Sequence, residues 1–282
     1  MLRTRIGPLL LLSANLFSQT ARWNGPDQPV YVVTRNHYAE GFSPDGATPR
    51  FADLIMIEIF HPPGRRNPEA PYQVGASYAL LAGGERVGQV IVKKVAPLQC
   101  NSTAAIVATN STPFSDTTMA IATNATGIQS HPNRQRDPSP QERLQTIRLA
   151  MIEFRKYGIP QSLASEVKLE RLIATQIDRD GRKTLIGSLT IRTNKAEHRV
   201  FLIVGIVGDD ATTELVLYHR TTDLEDGKDS QGLLFVDQLD LDGDGADELV
   251  VEMTGYENEE FWIYQRQAGT WRRVWIGGQG SC

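Results

Sequence analysis

Residues 240–252 read Asp-Leu-Asp-Gly-Asp-Gly-Ala-Asp-Glu-Leu-Val-Val-Glu, and this spacing points to a specific chemistry. Gly245 allows a sharp turn that brings neighbouring carboxylates together. The acids at alternate positions and at the ninth position are Asp240, Asp242, Asp244 and Glu248. Four carboxylates this close repel one another unless a cation lies between them, and oxygen ligands in a flexible loop suit Ca²⁺ better than Mg²⁺. The stretch therefore predicts a bound calcium ion.

The loop differs from an EF-hand at its twelfth position. Val251 stands where an EF-hand loop has a bidentate Glu, and Glu252 comes one residue late. The flanking runs 233–236 and 249–251 are short and apolar, without the three-to-four residue periodicity of a helix. The sequence therefore predicts a strand-loop-strand calcium site.

The pattern Asp240-x-Asp242-Gly243-Asp244-Gly245-x-x-Glu248-Leu249-Val250 resembles the calcium hairpin of FG-GAP and VCBS repeats. Such repeats occur in integrin-type propellers and in many secreted bacterial proteins. The resemblance covers roughly residues 232–276, because Gly255-Tyr256, Phe261-Trp262-Ile263-Tyr264 and Gly269-Thr270-Trp271 continue it. It implies that Ca²⁺ is held by the side chains of Asp240, Asp242, Asp244 and Glu248 and by the main-chain carbonyl of Ala246. It says little about function, since adhesins, lectin-like proteins and enzymes all carry the hairpin.

A degenerate second copy, residues 176–186, aligns without gaps 64 residues upstream. Asp178, Asp180 and Gly181 stand at the positions of Asp242, Asp244 and Gly245, while Gln176 and Thr184 replace the first and ninth ligands. The loop is either such a relic or an ordinary Asp-Gly turn, and in neither case should it hold calcium tightly. Two copies cannot close a propeller, which needs at least four blades. About six or seven strands after residue 184 predict one or two blade-like sheets in a compact β domain.

Composition limits the possible partners. The 282 residues are enough for two domains, and a net charge of −4 argues against nucleic acid and against an anionic membrane surface. Residues 1–21 combine Arg3 and Arg5 with a short apolar run, which is typical of a signal peptide. We therefore expect a secreted or periplasmic protein of bacterial type, with no membrane span after signal removal. Whether Cys100 and Cys282 form a disulfide stays open.

The organisation predicted along the chain is mainly β with one or two helices. Residues 28–128 read as an N-terminal β domain of sandwich or barrel type, with a tight hairpin at Gly83-Gly84. Residues 129–140 read as a linker, and residues 141–282 as a helix followed by the calcium-hairpin domain, an antiparallel meander or a partial propeller-like domain. Residues 167–175 fit either a short helix or a strand.

The linker ends in a helix start signal. Ser139-Pro140-Gln141-Glu142 is a capping box with Pro in the first turn, and Gly158 and Pro160 mark the end. An apolar face is predicted to pack on the sheet of the second domain. It consists of Leu144, Ile147, Ala150, Met151 and Phe154.

The sequence carries no nucleophile elbow, zinc-protease motif, phosphate loop or dinucleotide fingerprint, and its five histidines are scattered. The first hypothesis is an exported, non-catalytic protein whose partner is an extracellular protein or a carbohydrate. The alternative is a secreted hydrolase with the calcium hairpin as a stabilising element. A cleft with convergent acids would favour the enzyme. An exposed aromatic patch would favour binding, with Trp262, Tyr264, Trp271 and Trp275 as candidates.

Overall fold

The structure, a computed structural model, describes residues 23, 25–35, 53–63, 72–97, 103–110, 119–178, 181–208, 210–222, 232–255 and 258–281. Three predictions lie outside these residues: the signal peptide at 1–21, the pairing of Cys100 with Cys282, and the role of Asp180. Within the described part the chain is mainly β, as predicted, with one α-helix and one short 3-10 helix.

The first six strands form sheet A, a closed antiparallel barrel in the order β1-β2-β5-β4-β3-β6. Their bounds are β1 Val30–Arg35, β2 Leu54–Phe60, β3 Ser77–Ala82, β4 Glu85–Pro97, β5 Thr103–Thr109 and β6 Ala120–Thr123. The predicted tight hairpin is confirmed between β3 and β4, where Gly83 and Gly84 adopt φ of +59° and +81°. Residues with side chains rarely adopt this region, so glycines suit the turn.

Helix α1 spans Pro140–Lys156, and both bonds of its predicted capping box are present. The Ser139 side chain accepts from the Glu142 backbone N–H at 3.3 Å, and the Glu142 carboxylate accepts from the Ser139 N–H at 2.7 Å. The predicted packing face is wrong at one position, because the Leu144 side chain is 68% exposed. The buried row at helical spacing instead runs through Thr146, Ala150 and Phe154.

The remaining strands form two four-stranded antiparallel meanders. Sheet B contains β7 Lys168–Gln176, β8 Lys183–Arg192, β9 Glu197–Val207 and β10 Asp210–Thr221, after a 3-10 helix at Gln161–Glu166. Sheet C contains β11 Gly232–Leu239, β12 Glu248–Thr254, β13 Asn258–Gln267 and β14 Thr270–Ser281. The undecided stretch 167–175 is thus mostly strand. In each sheet the motif loop joins the first strand to the second, so the two aligned loops occupy the same topological place.

Four cores hold these layers together. Helix α1 packs on one side of sheet B, as predicted, and the other side of sheet B packs on sheet C through residues such as Phe201 and Phe235. The opposite side of sheet C shares a core with barrel strands through Val250 and Ile57. A separate core contains barrel residues alone. The layer order α1, sheet B, sheet C, barrel places loop 240–247 beside the chain segment that leaves the barrel.

Candidate metal centre

Loop 240–247, between β11 and β12, gathers three of the predicted ligands. One carboxylate oxygen from each of Asp240, Asp242 and Asp244 lies within 4.8 Å of the others, a spacing that suits a shared cation. Exposure rises along the series, since Asp240 is buried, Asp242 is half-buried and Asp244 is exposed. The group therefore opens to solvent on the side of Asp244.

Backbone amides of the same loop fix the orientation of these carboxylates. Asp240 accepts from the N–H of Gly243 at 2.7 Å and of Gly245 at 2.9 Å. Asp242 and Asp244 each accept from the amide two residues further on, at 3.1 and 2.8 Å. Gly243 and Gly245 adopt φ of +79° and +95°, which lets the chain fold back around the acids. These backbone hydrogen bonds point the three carboxylates toward one another.

Glu248, at the first position of β12, lies behind the loop. Its side chain is almost fully buried, and it accepts from the Leu241 N–H at 2.7 Å. Burial raises the pKa of Glu248 well above its ordinary value, and the negative charges of the three loop aspartates raise it further. Burial likewise raises the pKa of Asp240 and of Asp242. A divalent cation would reverse this balance by stabilising the ionised forms.

No lysine, arginine or histidine within the described ranges forms an ion pair with Asp240, Asp242, Asp244 or Glu248. Their only side-chain partner in the hydrogen bonds of these ranges is the neutral amide of Gln265, which donates to Asp242 at 2.5 Å. A hard cation with oxygen ligands would supply the missing positive charge. The donor set therefore fits Ca²⁺.

At the aligned loop in sheet B, arginine side chains neutralise the acids. Asp178, at the position of Asp242, accepts from Arg182 at 3.3 Å and from Arg266 of β13. The same two arginines reach Glu214 of β10, at 3.0 and 3.4 Å, and Trp271 donates to Glu214 at 2.9 Å. Guanidinium groups thus provide the positive charge at this loop.

Strand β13 serves both loops with consecutive residues. Gln265 contacts Asp242, while Arg266 contacts the aligned Asp178. Neighbouring residues on a strand point to opposite sides, so β13 presents an amide to one loop and a guanidinium to the other. The acid of the sheet B loop is thus paired with an arginine of β13, whereas the acid of loop 240–247 receives only a neutral amide from the same strand.

Asp247, which the sequence did not single out, joins three parts of the structure. His131 Nε2 lies 3.0 Å from Asp247 Oδ1, Gln238 donates to Oδ2 at 2.7 Å, and the Asp247 N–H donates to the Ile177 carbonyl at 3.2 Å. The hydrogen bond to Asp247 raises the pKa of His131, although burial opposes it. The only signal in the sequence is that Asp247 directly precedes Glu248 at the start of a strand run, and nothing local points to His131.

A cavity of about 280 Å³ lies between loop 240–247 and residues 129–134, and it is lined in part by His131, Arg134, Asp240 and Asp247. The neighbouring Ser130 invites comparison with a catalytic triad. However, His131 Nδ1 faces the Pro132 carbonyl at 3.0 Å while Nε2 faces Asp247. With both ring nitrogens engaged, His131 has none left to accept a proton from Ser130. In this arrangement His131 is therefore not the general base of Ser130.

A second acidic group lies at the contact of sheet C with the barrel. Asp237 accepts from the Gly83 N–H at 2.9 Å and from Gln135 at 2.8 Å, and burial raises its pKa to about 7. Burial also raises the pKa of Glu252 to about 7, while Arg171 acts on both carboxylates in the opposite direction. No sequence pattern predicts this group, because its members lie on β7 and on two strands of sheet C.

The four candidate aromatic residues do not form an exposed patch. Tyr264 and Trp271 are buried between the two sheets. Trp275 packs against Phe60 with ring centroids 4.8 Å apart and donates to the Ile59 carbonyl at 2.9 Å. The Trp262 ring lies under the Arg273 guanidinium, 4.6 Å from ring centroid to Cζ. These side chains stabilise the fold, so they do not mark a ligand platform.

No helix of the described part is long and apolar enough to cross a membrane.

Comparison with known proteins adds no relative, because no family model, no curated protein and no solved structure matches this chain.

Proposed function

We propose that this protein is an exported, calcium-stabilised β protein that acts in binding or surface interaction, with a single Ca²⁺ ion held by loop 240–248. The side chains of Asp240, Asp242, Asp244 and Glu248 and the carbonyl of Ala246 would be its ligands. The observation that carries the proposal is the group of three aspartates in loop 240–247, with Glu248 buried behind it. None of these acids is paired with a basic side chain in the described residues, whereas the acids at the aligned loop are paired with arginines.

The role of the ion in this proposal is structural. Carboxylates that repel one another in its absence would attract a shared cation, and the ion would fix the turn between β11 and β12. Extracellular modules use weak calcium sites, with dissociation constants of roughly 10⁻⁴ to 10⁻³ M, because calcium outside cells is plentiful. This range matches a protein whose N-terminal residues resemble a signal peptide. A secreted hydrolase, the alternative, is favoured by no specific contact in the described residues.

Thermal unfolding in calcium and in chelator tests the proposal. At a calcium concentration 100 times the dissociation constant, binding to the folded state stabilises by about 2.7 kcal/mol, which is a melting shift of roughly 5–10 °C for a chain of this size. Magnesium should give a much smaller shift, because it requires a rigid octahedral site.

Asp244→Asn is the variant that tests the ligand assignment. Asp244 is exposed, so replacing its carboxylate should not unfold the chain. We expect most of the calcium-dependent shift to disappear. Asp210→Asn, an exposed acid on β10, is the matched control and should keep the full shift. Equal melting temperatures of the wild type in calcium and in chelator would refute the proposal.

A further inference from the structure

The segment of residues 129–136, named the strap here, is tied to the barrel at the β3–β4 hairpin. The His131 N–H donates to the Gly84 carbonyl at 2.9 Å, and the Arg86 N–H donates to Ser130 Oγ at 2.9 Å. The Asn133 N–H reaches the Glu85 carboxylate at 3.3 Å. A Cβ at Gly84 would lie 2.0 Å from the His131 ring, which shows how closely the strap covers the turn.

The same strap is tied to the two sheets. The backbones of Arg136 and Ala174 exchange two hydrogen bonds, at 2.8 and 3.1 Å, which joins the strap to β7. Gln135 donates to Asp237 of β11 at 2.8 Å, and the same carboxylate accepts the Gly83 N–H of the barrel hairpin. The strap therefore bridges the barrel and both sheets.

Asp247 connects this bridge to the acidic loop. Residues of the strap and of the loop together line a cavity of about 280 Å³, and two of these residues, His131 and Asp247, are in contact at 3.0 Å. Asp247 stands between Ala246 and Glu248, two of the proposed ligands. An ion held on both sides of Asp247 would fix its backbone and hence the position in which its carboxylate meets His131.

We propose that calcium binding controls the docking of the barrel on the two sheets, with Asp247 and His131 as positioning residues. This inference rests on the proposed function, since it assigns a regulatory consequence to the same ion. Without the ion, repulsion among the loop acids displaces residues 246–248, and Asp247 moves away from His131. The strap then opens more often, and both its hydrogen bond to Gly84 and the adjacent bond from Gly83 to Asp237 are exposed to solvent.

Hydrogen exchange of the full chain in calcium and in chelator tests this coupling. The reporters are the amides of His131 and Gly83, since each donates across the joint between the barrel and the sheets. If docking follows the ion fully, calcium at 100 times its dissociation constant slows their exchange about 100-fold. Amides of β5, on the barrel, are the internal reference and should change far less.

His131→Ala removes the link on the strap side and leaves the proposed ligands in place. We expect this variant to bind calcium with wild-type stoichiometry by calorimetry, while the calcium-dependent slowing at Gly83 is lost. Lys195→Ala, at an exposed turn of sheet B, is the control and should keep the slowing.

The outcomes separate the two proposals. Wild-type protein that binds one calcium ion but shows unchanged exchange in the strap and at Gly83 would overturn the coupling and leave the proposed function standing. Slowing that persists in His131→Ala would remove the assigned role of His131 and Asp247. Absence of calcium binding in the wild type would overturn the proposed function and this inference together.

Discussion

Glu252 gives the sharpest test of the energetics at the contact between sheet C and the barrel. Its position on β12 puts it on the same side of the sheet as Val250, which packs in the core shared with the barrel. The side chain is 7% exposed, and burial raises its pKa from the ordinary value of 4.5 to about 7, although Arg171 acts in the opposite direction. We expect Glu252→Gln to stabilise the protein at high pH.

The direction in which stability changes with pH follows from proton binding. The folded protein holds this proton more tightly than the unfolded chain, so the stability contributed by Glu252 falls as pH rises from about 4.5 to about 7 and then levels off. A shift of about 2.5 pKa units corresponds to roughly 3 kcal/mol at pH 8 and to roughly 1 kcal/mol at pH 5. The variant, which cannot ionise, avoids this cost.

Urea unfolding at pH 5, 6, 7 and 8, with calcium held constant, measures the difference between wild type and Glu252→Gln at each pH. We expect the variant to gain roughly 2 kcal/mol over the wild type between pH 5 and pH 8. An equal pH dependence of the two proteins, or a variant that is less stable at pH 8, would refute the reasoning. The second outcome would mean that the pair with Arg171 is worth more than the burial cost of Glu252.

Three further predictions concern single contacts. Phe154→Ala should cost about 3–5 kcal/mol in urea unfolding because Phe154 is fully buried against sheet B, whereas Leu144→Ala should change stability by less than about 0.5 kcal/mol; similar costs would contradict the observed helix face. Arg266→Gln should lose about 1–3 kcal/mol, since it leaves Asp178 and Glu214 with one guanidinium, and should bind calcium as before; a change in calcium stoichiometry would disprove the separation of the two loops. The hydrogen bond to Asp247 raises the pKa of His131. The stability that protonated His131 contributes is therefore fully present below the ordinary pKa of 6.5 and is lost as pH rises through the raised pKa. His131→Gln should flatten the pH dependence of the free energy of unfolding in this range.

Local features of the fold were predictable from the sequence. The capping box at Ser139 and the glycine turn at residues 83–84 depend only on neighbouring residues, and both are confirmed. The strand runs were recognised because each is short, apolar or β-branched, and bounded by turn residues. The acidic loop was recognised for a similar reason, since its glycines and acids lie within nine positions.

One open alternative and one wrong prediction have a structural origin. Strand β7 stayed undecided because a bulge between Leu169 and Arg171 breaks the period-two alternation that marks a strand. The helical spacing of apolar residues predicts Leu144 on the packing face, but the buried side of the first turns carries Glu142 and Thr146. Arg136 pairs with Glu142 at 2.6 Å, and Thr146 donates to the Glu142 carbonyl at 2.8 Å, so polar contacts occupy that side of the helix.

The contacts that give the candidate site its surroundings could not be predicted from sequence patterns. His131 and Asp247 are 116 residues apart, and Gly83 and Asp237 are 154 residues apart. Such pairs arise only when the barrel packs on sheet C, and no local spacing encodes them. The same holds for Arg266, whose contact with Asp178 decides how the first loop is neutralised.

Calorimetric titration of the mature chain with Ca²⁺ tests the central claim most directly. The account predicts one equivalent bound by the wild type, one equivalent by Arg266→Gln, and no binding by Asp242→Ala. No heat of binding in the wild type, or one equivalent retained by Asp242→Ala, would contradict the assignment of the ion to loop 240–248.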